Sequence, residues 1–341
     1  MKEYHAQAIR NVAILGHLGS GKTTLSESLL FIGGQIEKKG EVERKNTISD
    51  FTPEEQGRQT SMSASLIPVE WKNHKLNFID TPGSEEFIGE LENVLSVVKG
   101  AILVIDGSKG VEVGTERSWE ELRKRNIPTI ILVNKMDKEN IKFEPLLESI
   151  REKLGKRSVP FCWPLGKSDN FDGFVNVVDK KAFIFKDGKI CEGEIYPDKV
   201  DKIEELYGDI SEVVAETSEE LLDKYFSGEP LTHEEIKNGL RQGTLLADIY
   251  PVLVSSSSKD IGISTLLDMV VDFMPSPLDL KAVDGVDLKG KPTSRETKDD
   301  APLSIHVFKT VIDSFVGTIN YLKIYSGKRE NIICLYHEIH I

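Results

Sequence analysis

One short stretch near the beginning of the chain decides the fold, and it reads Gly16-His17-Leu18-Gly19-Ser20-Gly21-Lys22-Thr23. It matches the pattern G-x-x-x-x-G-K-[ST], in which glycines let backbone N–H groups turn toward phosphate oxygens. The apolar run 11–15 before it predicts a buried strand, and the helical spacing after it ends at Gly33. A strand, a glycine-rich turn and a helix N-terminus in this order predict a phosphate-binding loop.

The residue types in this loop suggest separate roles in binding a nucleotide. The Lys22 ammonium is expected to reach the β- and γ-phosphates, and the Thr23 hydroxyl is expected to bind Mg²⁺. A glycine-rich turn of purely structural role remains the alternative at this point. The predicted nucleotide contacts of the segment are Gly16, His17, Leu18, Gly19, Ser20, Gly21, Lys22, Thr23 and Thr24.

A second candidate phosphate element follows a predicted β-hairpin, whose strands are residues 65–71 and 75–80. The second strand ends in Asp80-Thr81-Pro82-Gly83. A carboxylate there can hold the water shell of Mg²⁺, and a glycine can let the backbone approach a γ-phosphate. Alone, such a sequence is a common turn. Downstream of a phosphate-binding loop, it favours a nucleotide site that includes Asp80, Thr81, Pro82 and Gly83.

Base recognition is predicted at Asn134-Lys135-Met136-Asp137, where another apolar run ends. The Asp137 carboxylate can accept hydrogen bonds from guanine N1–H and the exocyclic amine, and adenine does not offer this pair of donors. The Lys135 stem can cover the base, and Asn134 can tie this loop to the phosphate-binding loop. In the serine run 255–258, Ser256 and Ser257 are predicted to place a backbone N–H against the guanine carbonyl.

Continuous apolar runs at residues 101–105, 129–133 and 252–254 alternate with helical stretches such as 143–154 and 263–273. Such runs are typical of parallel strands that are buried on both faces. The sequence therefore predicts an α/β fold with a doubly wound, mostly parallel sheet.

Four segments depart from this alternation. Residues 35–61 are polar and too long for an ordinary connection, so they are expected to be functional or mobile. Residues 166–250, with a hairpin around 186–188 and an acidic helical stretch at 200–226, are interpreted as an insertion. Residues 276–301, rich in proline, glycine and charge, are interpreted as a linker, and two strands are predicted in 303–325.

Composition narrows the class of protein. The 341 residues are 39% hydrophobic and 29% charged, which is ordinary globular composition. The net charge of −13 disfavours nucleic-acid binding through bulk positive charge. Three cysteines form no C-x-x-C pair, and no apolar run approaches the roughly 18 residues of a membrane helix. We therefore expect a soluble cytoplasmic protein that does not enter a membrane.

The order and spacing of these motifs resemble those of translational GTPases of the elongation factor G family. Residues 111–117, 135–140 and 272–277 are similar to further stretches of that family. The resemblance covers roughly residues 6–328. It implies a P-loop G domain that binds GTP with Mg²⁺ as cofactor and hydrolyses it to GDP and phosphate. It also implies a switch that acts on the ribosome.

The resemblance also implies a domain organisation. Residues 1–280 would form the G domain, and the insertion at 166–250 falls where the family carries its G′ subdomain. Residues 281–302 would be a linker to a second domain, and 303–341 would begin its β-barrel. From about residue 328 the sequence departs from the barrel pattern, so we expect a truncated or frameshifted tail.

Three residues depart from the family pattern. Ser61 takes the place of the residue that reaches Mg²⁺ and the γ-phosphate, with Thr60 as a fallback, and Gly19 replaces an aspartate. Ser84 replaces the histidine that positions the attacking water, as in the paralogous, elongation-factor-G-like branch. A serine hydroxyl cannot take the geometry of an imidazole, so slow hydrolysis is expected. The resemblance thus gives Thr23, Ser61 and Asp80 (through water) as metal ligands, and Lys22, Ser61, Gly83 and Ser84 as catalytic candidates.

Two alternative functions stay open. The first is a guanine-nucleotide-dependent binding module with weak catalysis, which the serine at position 84 favours. The second is a ribosomal protection factor of the tetracycline-resistance type, which shares the same GTPase domain.

Overall fold

A seven-stranded sheet lies at the centre of the computed structural model, which describes residues 2, 4–186, 189–279, 282–287, 289–313 and 317–327. The strands, in chain order, are β1 (Ile9–Gly16), β2 (Ser65–Trp71), β3 (His74–Asp80), β4 (Gly100–Asp106), β5 (Thr129–Asn134), β6 (Ser158–Pro160), β7 (Cys162–Leu165), β8 (Gly173–Asn176), β9 (Lys181–Lys186), β10 (Lys189–Gly193), β11 (Tyr250–Val254), β12 (Val283–Val286), β13 (Pro292–Arg295), β14 (Ser304–Asp313) and β15 (Gly317–Ser326). The α-helices of the described residues are α1 (Lys22–Ile32), α2 (Pro53–Arg58), α3 (Ile88–Val97), α4 (Val113–Lys124), α5 (Phe143–Leu154), α6 (Val200–Ala215), α7 (Glu219–Phe226), α8 (His233–Leu245) and α9 (Ile263–Phe273).

The central sheet is mostly parallel, with the strand order β2-β3-β1-β4-β5-β11-β6. Only the β2–β3 pair is antiparallel in this sheet of the described chain. Strands β1, β4, β5 and β11 are buried at every position, so both faces of the sheet are covered. The predicted α/β fold with a doubly wound, mostly parallel sheet is therefore confirmed. Within the described ranges, none of the helices combines the length and apolar character needed to cross a membrane.

The polar segment before β2 contains helix α2, which the sequence pattern did not predict. Thr52 and Glu55 form a capping box at its start, with Glu55 N donating to Thr52 Oγ1 and Thr52 N donating to Glu55 Oε2. The earlier part is anchored by the buried Glu27 of α1, whose carboxylate accepts from Gly40 N at 2.7 Å and Ile48 N at 2.6 Å. Two buried carboxylates therefore order a stretch that has no hydrophobic periodicity.

Between β6 and β11 the chain leaves the central sheet. Strands β7 to β10 form a four-stranded antiparallel sheet that begins at Cys162, before the predicted start of the insertion. The acidic stretch forms two helices rather than one, because the Ser218 hydroxyl caps α7 by accepting from Leu221 N. Strand β6 was also not predicted, since three residues carry too little periodicity. The predicted turn residues 187–188 lie outside the described residues.

The predicted linker contains a two-stranded antiparallel hairpin, β12–β13. Asp287 organises its turn, because its Oδ1 accepts from Lys289 N at 2.8 Å and Lys291 N at 2.9 Å. The sequence pattern did not predict this hairpin within the linker. Residues 314–316, around which the two strands were predicted, and the tail from residue 328 lie outside the described residues.

The two predicted strands near the end of the described chain form the antiparallel hairpin β14–β15, which packs on α3. Tyr325 Oη donates to Ser96 O at 3.1 Å, and Lys323 Nζ donates to Val97 O. Lys323 is only 4% exposed. Burial lowers the pKa of Lys323 to about 7 from its ordinary value of 10.5, with Lys99 adding to the effect.

This buried lysine predicts a specific pH dependence of stability. Because its pKa is lower in the folded state, the unfolded chain binds more protons between about pH 7 and pH 10.5. The free energy of unfolding should therefore rise with pH across this window, and Lys323→Met should flatten the rise and stabilise the protein at neutral pH. Urea unfolding of both proteins at several pH values measures this. Lys38→Met, which removes an exposed lysine, is the control, and an identical slope in the wild type and Lys323→Met would refute the prediction.

Candidate nucleotide-binding site

The predicted site segments meet at one edge of the central sheet. Strands β1, β3, β5 and β11 all run in the same direction, so their carboxyl ends lie together. Each of these ends carries one predicted motif. The segments brought together are 16–24, 80–84, 134–137 and 255–258.

The loop after β1 is shaped by glycines at its tightest point. Gly21 has a φ of 95°, and a β-carbon there would lie 2.5 Å from Asn134 Nδ2, so only glycine fits. Ser20 N donates to His17 O at 3.1 Å, and Gly114 N donates to His17 Nδ1 at 3.2 Å. These bonds fix the loop in front of the N-terminus of α1, where Thr23 and Thr24 are half-buried and Leu18 is exposed.

Lys22 is buried inside this loop. Its ammonium donates to Gly16 O and to His17 O, both at 3.0 Å, and burial lowers its pKa to about 8. A β-carbon on Gly83 would lie 2.4 Å from Lys22 Nζ, so the glycine lets the loop after β3 pass directly over the lysine. The first two predicted motifs are therefore in contact.

Asp80 ends β3 as a buried carboxylate. It is 1% exposed, and neither of its carboxylate oxygens has a hydrogen-bond partner in the described chain. Burial raises its pKa to about 7, Lys22 opposes this shift, and Asp50 adds to it. A buried carboxylate whose oxygens have no protein donor can accept hydrogen bonds from the water molecules of a hydrated cation.

Three oxygen-bearing side chains gather beside Asp80. The hydroxyls of Thr23 and Ser61 are 3.2 Å apart, and Asp50 lies next to both. Burial raises the pKa of Asp50, and its Oδ1 lacks a partner within the described chain. The hydroxyls of Ser20, Ser26 and Ser49 in the same region meet no partner of the described chain in good hydrogen-bonding geometry, and those of Ser26 and Ser49 lie near enough to Asp80 to oppose the rise in its pKa. This donor set is all oxygen and includes two carboxylates, which is the chemistry that Mg²⁺ prefers.

Asp50 was not predicted, because the polar stretch around it has no periodicity to single it out. Glu55 was missed as well, although Thr52-x-x-Glu55 is a capping-box pattern that points to a helix start.

Asn134 joins three loops of the site. Its Nδ2 donates to Ser20 O at 3.2 Å, and its Oδ1 accepts from Ser257 N at 3.0 Å and from Ser257 Oγ at 2.9 Å. Ser255 Oγ donates to the same oxygen at 3.2 Å. The expected link between the base-recognition and phosphate loops is therefore present, and it extends to the serine run.

Lys135 lies across the phosphate loop. Its ammonium donates to Gly19 O at 2.6 Å and to Asp106 Oδ2 at 2.9 Å. Burial works against ionisation of Asp106, but hydrogen bonds from Lys135 and Ser108 outweigh it and lower the pKa of this carboxyl. Asp106 was missed by the sequence reasoning, and its only signal is its place at the carboxyl end of an apolar run.

Asp137 is oriented by the serine run. Its Oδ1 accepts from Ser256 Oγ at 2.7 Å and its Oδ2 accepts from Ser258 Oγ at 3.3 Å. Met136 is buried, and its N donates to Ser255 O at 3.1 Å. The carboxylate is thus fixed in direction by neutral hydroxyls.

The remaining predicted residues lie after β3. The Thr81 hydroxyl donates to Ile14 O at 2.7 Å, which fastens this loop to β1, and Pro82 is buried. Ser84 is half-buried and lines a small cleft together with Gly16, Gly114 and Arg117. Arg117 also pairs with Glu85, at 3.2 Å between Nη1 and Oε2.

Comparison with known proteins identifies the class to which this fold and site belong. The family model described as the elongation factor Tu GTP binding domain matches residues 7–276. Elongation factor G of Mycoplasma genitalium is 38% identical over 321 residues, which are 93% of this chain and 47% of that relative. A crystal structure of a protein from Thermus thermophilus superposes with a TM-score of 0.84 and 31% identity, covering 94% of this chain and 46% of the other.

The chain therefore belongs to the elongation-factor class, through the family described as the elongation factor Tu GTP binding domain. Within that class it is similar to elongation factor G. It spans about half the length of the relatives to which it is similar, 47% of one and 46% of the other.

The link through Asn134 can be tested directly. Asn134→Ala removes the acceptor of Ser257 N and the donor to Ser20 O, leaving buried polar groups without partners. We expect the free energy of unfolding to fall by about 1–3 kcal/mol. Affinity for guanine nucleotides should fall as well, because two of the loops lose their relative position. Denaturant unfolding and nucleotide titration measure both effects, with the exposed Asn93→Ala as control, and wild-type values in both would contradict the role.

Proposed function

We propose that this chain binds GTP, hydrolyses it to GDP and phosphate with Mg²⁺ as cofactor, and uses the change to switch its contact with the ribosome in the cytoplasm. One observation carries the proposal. Lys22, Thr23, Ser61 and Asp80 gather around buried, unpartnered oxygens at the sheet edge that also holds the oriented Asp137.

Different side chains would bind different parts of the nucleotide. Lys22 would hold the β- and γ-phosphates, and the backbone N–H groups of the loop would surround them. Asp137 would accept the two guanine donors, and Ser256 and Ser257 would place a backbone N–H at the guanine carbonyl. The Lys135 stem would cover the base from the side of Gly19. Recognition of base and phosphate is thus built on separate loops that Asn134 joins.

The metal site is formed by side chains of three segments. Thr23 and Ser61 would offer their hydroxyls, and Asp80 would act through water, with Asp50 beside them as a fourth candidate. When bound, Mg²⁺ offsets negative charge on the phosphate oxygens. The burial of Lys22 and Asp80 excludes bulk water from the same region, which strengthens each of these interactions.

Ser84 distinguishes this site from the family pattern. Its hydroxyl is too short to hold a water where an imidazole would, so we expect slow hydrolysis. This favours a second candidate, a binding module that depends on guanine nucleotide and turns over weakly. The ribosomal protection factor is not favoured, because the relatives found are elongation factors.

Nucleotide competition and single-turnover hydrolysis test the proposal together. GTP and GDP should bind in the presence of Mg²⁺, and ATP should not compete. Hydrolysis should be measurable, and ribosomes should accelerate it. Equal competition by ATP would refute the assignment of Asp137, and binding without turnover above background, with or without ribosomes, would leave only the binding module.

The guanine assignment makes a sharper prediction. Asp137→Asn replaces an acceptor by a side chain that also donates, which suits the second carbonyl of xanthine. We expect preference to move from GTP to XTP by about tenfold or more, since a buried unpaired group costs about 1–3 kcal/mol. Competition between the two nucleotides measures this, with the exposed Glu139→Gln as control. An unchanged preference for GTP would count against the role of Asp137.

The role of position 84 is tested by restoring an imidazole. Ser84→His should accelerate single-turnover hydrolysis about tenfold or more, because a positioned imidazole typically contributes about 10²- to 10⁴-fold. GTP affinity should stay within about twofold, since the residue does not line the base or metal positions. Rapid-quench measurement with ribosomes present gives the rate. A rate equal to that of wild type would show that Ser84 is not what limits hydrolysis.

A further inference from the structure

The backbone N–H and C=O of Ala64 are held by side chains from two other elements. Ala64 N donates to Glu90 Oε2 at 2.7 Å, and Ala64 O accepts from Lys309 Nζ at 2.5 Å. Lys309 Nζ also lies 3.3 Å from the same Glu90 oxygen. Glu90 belongs to α3 and Lys309 to β14, so the backbone of this one residue is bound both to α3 and to the hairpin.

A β-bulge brings Lys309 to this position. Val307 pairs with Leu322 and Lys309 pairs with Tyr321, so Phe308 is an extra residue on β14. Such an insertion shifts the alternation of side chains by one residue. Phe308 is therefore buried and Lys309 points to the same side, whereas regular alternation would direct one of them to solvent.

A second carboxylate, that of Glu55, holds the two residues before Ala64. Met62 N and Ser63 N donate to Glu55 Oε1 at 3.0 Å and 3.1 Å, and Glu55 is fully buried. Three successive N–H groups, of residues 62, 63 and 64, are thus taken up by two carboxylates. Ser61 directly precedes them, with its hydroxyl 3.2 Å from that of Thr23.

We propose that Lys309 and Glu90 are positioning residues that couple docking of the hairpin β14–β15 to placement of Ser61 at the nucleotide site. The proposal rests on the proposed function of that site. GTP and GDP differ only in the γ-phosphate, and Ser61 is the candidate that would respond to it. A contact that favours the placed segment therefore favours GTP over GDP, and by reciprocity GTP favours the docked hairpin.

The surroundings of the pair suit this role. The side chains of Lys309 and Glu90 are 15% and 30% exposed, so the pair is shielded from water more than a surface ion pair is. Both of its hydrogen bonds to Ala64 are charge-assisted, which makes them stronger than neutral ones. A second lysine of the hairpin, Lys323, also contacts α3, but it donates to Val97 O and does not touch Ala64.

The two lysines provide a matched pair of variants. Lys309→Met should weaken binding of a non-hydrolysable GTP analogue about 5- to 20-fold, the usual range of site-to-site coupling, and should change GDP binding less than about twofold. Lys323→Met should leave the ratio of the two affinities unchanged. Titration of the full chain in Mg²⁺ measures both. An unchanged ratio in Lys309→Met, or an equal loss for both nucleotides, would refute the coupling.

Hydrogen exchange supplies a readout that does not depend on nucleotide. In the nucleotide-free protein, Lys309→Met should speed amide exchange at residues 62–64, and Lys323→Met should not. Exchange at wild-type rates in Lys309→Met would overturn the proposal. The double variant Glu90→Gln/Lys309→Met should weaken analogue binding by less than the sum of the two single-variant losses, because both substitutions disrupt the same contact.

The outcomes also separate this inference from the proposed function. Wild-type protein that binds no guanine nucleotide would refute the function. Wild-type protein that binds GTP in Mg²⁺, together with a Lys309→Met variant of unchanged GTP-to-GDP ratio, would refute only the coupling.

Discussion

The common direction of strands β1, β3, β4, β5 and β11 is the constraint on which the site depends. Parallel strands place all of their carboxyl ends at one edge of the sheet, so residues far apart in sequence become neighbours there. Asn134 then joins the loops at this edge with hydrogen bonds to Ser20 and Ser257. The sheet brings the loops together, and one buried amide fixes their relative positions.

Burial of charge gives this edge its chemistry. Lys22 and Asp80 are buried, and burial favours the neutral form of each side chain. It lowers the pKa of Lys22 to about 8 and raises the pKa of Asp80 to about 7. Such groups destabilise the chain by itself, and a ligand that carries both negative charge and a cation would relieve them. Carboxylates also hold the segment that carries Ser61, because Glu55 and Glu90 accept hydrogen bonds from its backbone N–H groups.

Much of the fold was predictable because local patterns and tertiary structure agree. Helix α5 and the strand runs of the central sheet have strong periodicity, and the structure places them where the sequence indicates. Helix α2 and strand β6 were missed, since they are short and are formed through a capping box and sheet pairing rather than a hydrophobic stripe. The hairpin β12–β13 was missed for a similar reason, because its turn depends on the Asp287 side chain.

The sequence by itself determined the family and the types of residue at the candidate nucleotide site, because Gly16–Thr23, Asp80–Gly83 and Asn134–Asp137 carry their chemistry in local spacing. It also showed that Ser84 departs from the family pattern. Only the tertiary structure decided which further side chains join them. Asp50, Asp106 and Glu90 are ordinary acidic residues in the sequence, and they acquire roles when folding places them beside Thr23, Lys135 and Ala64. Long-range packing, which no local pattern records, sets those distances.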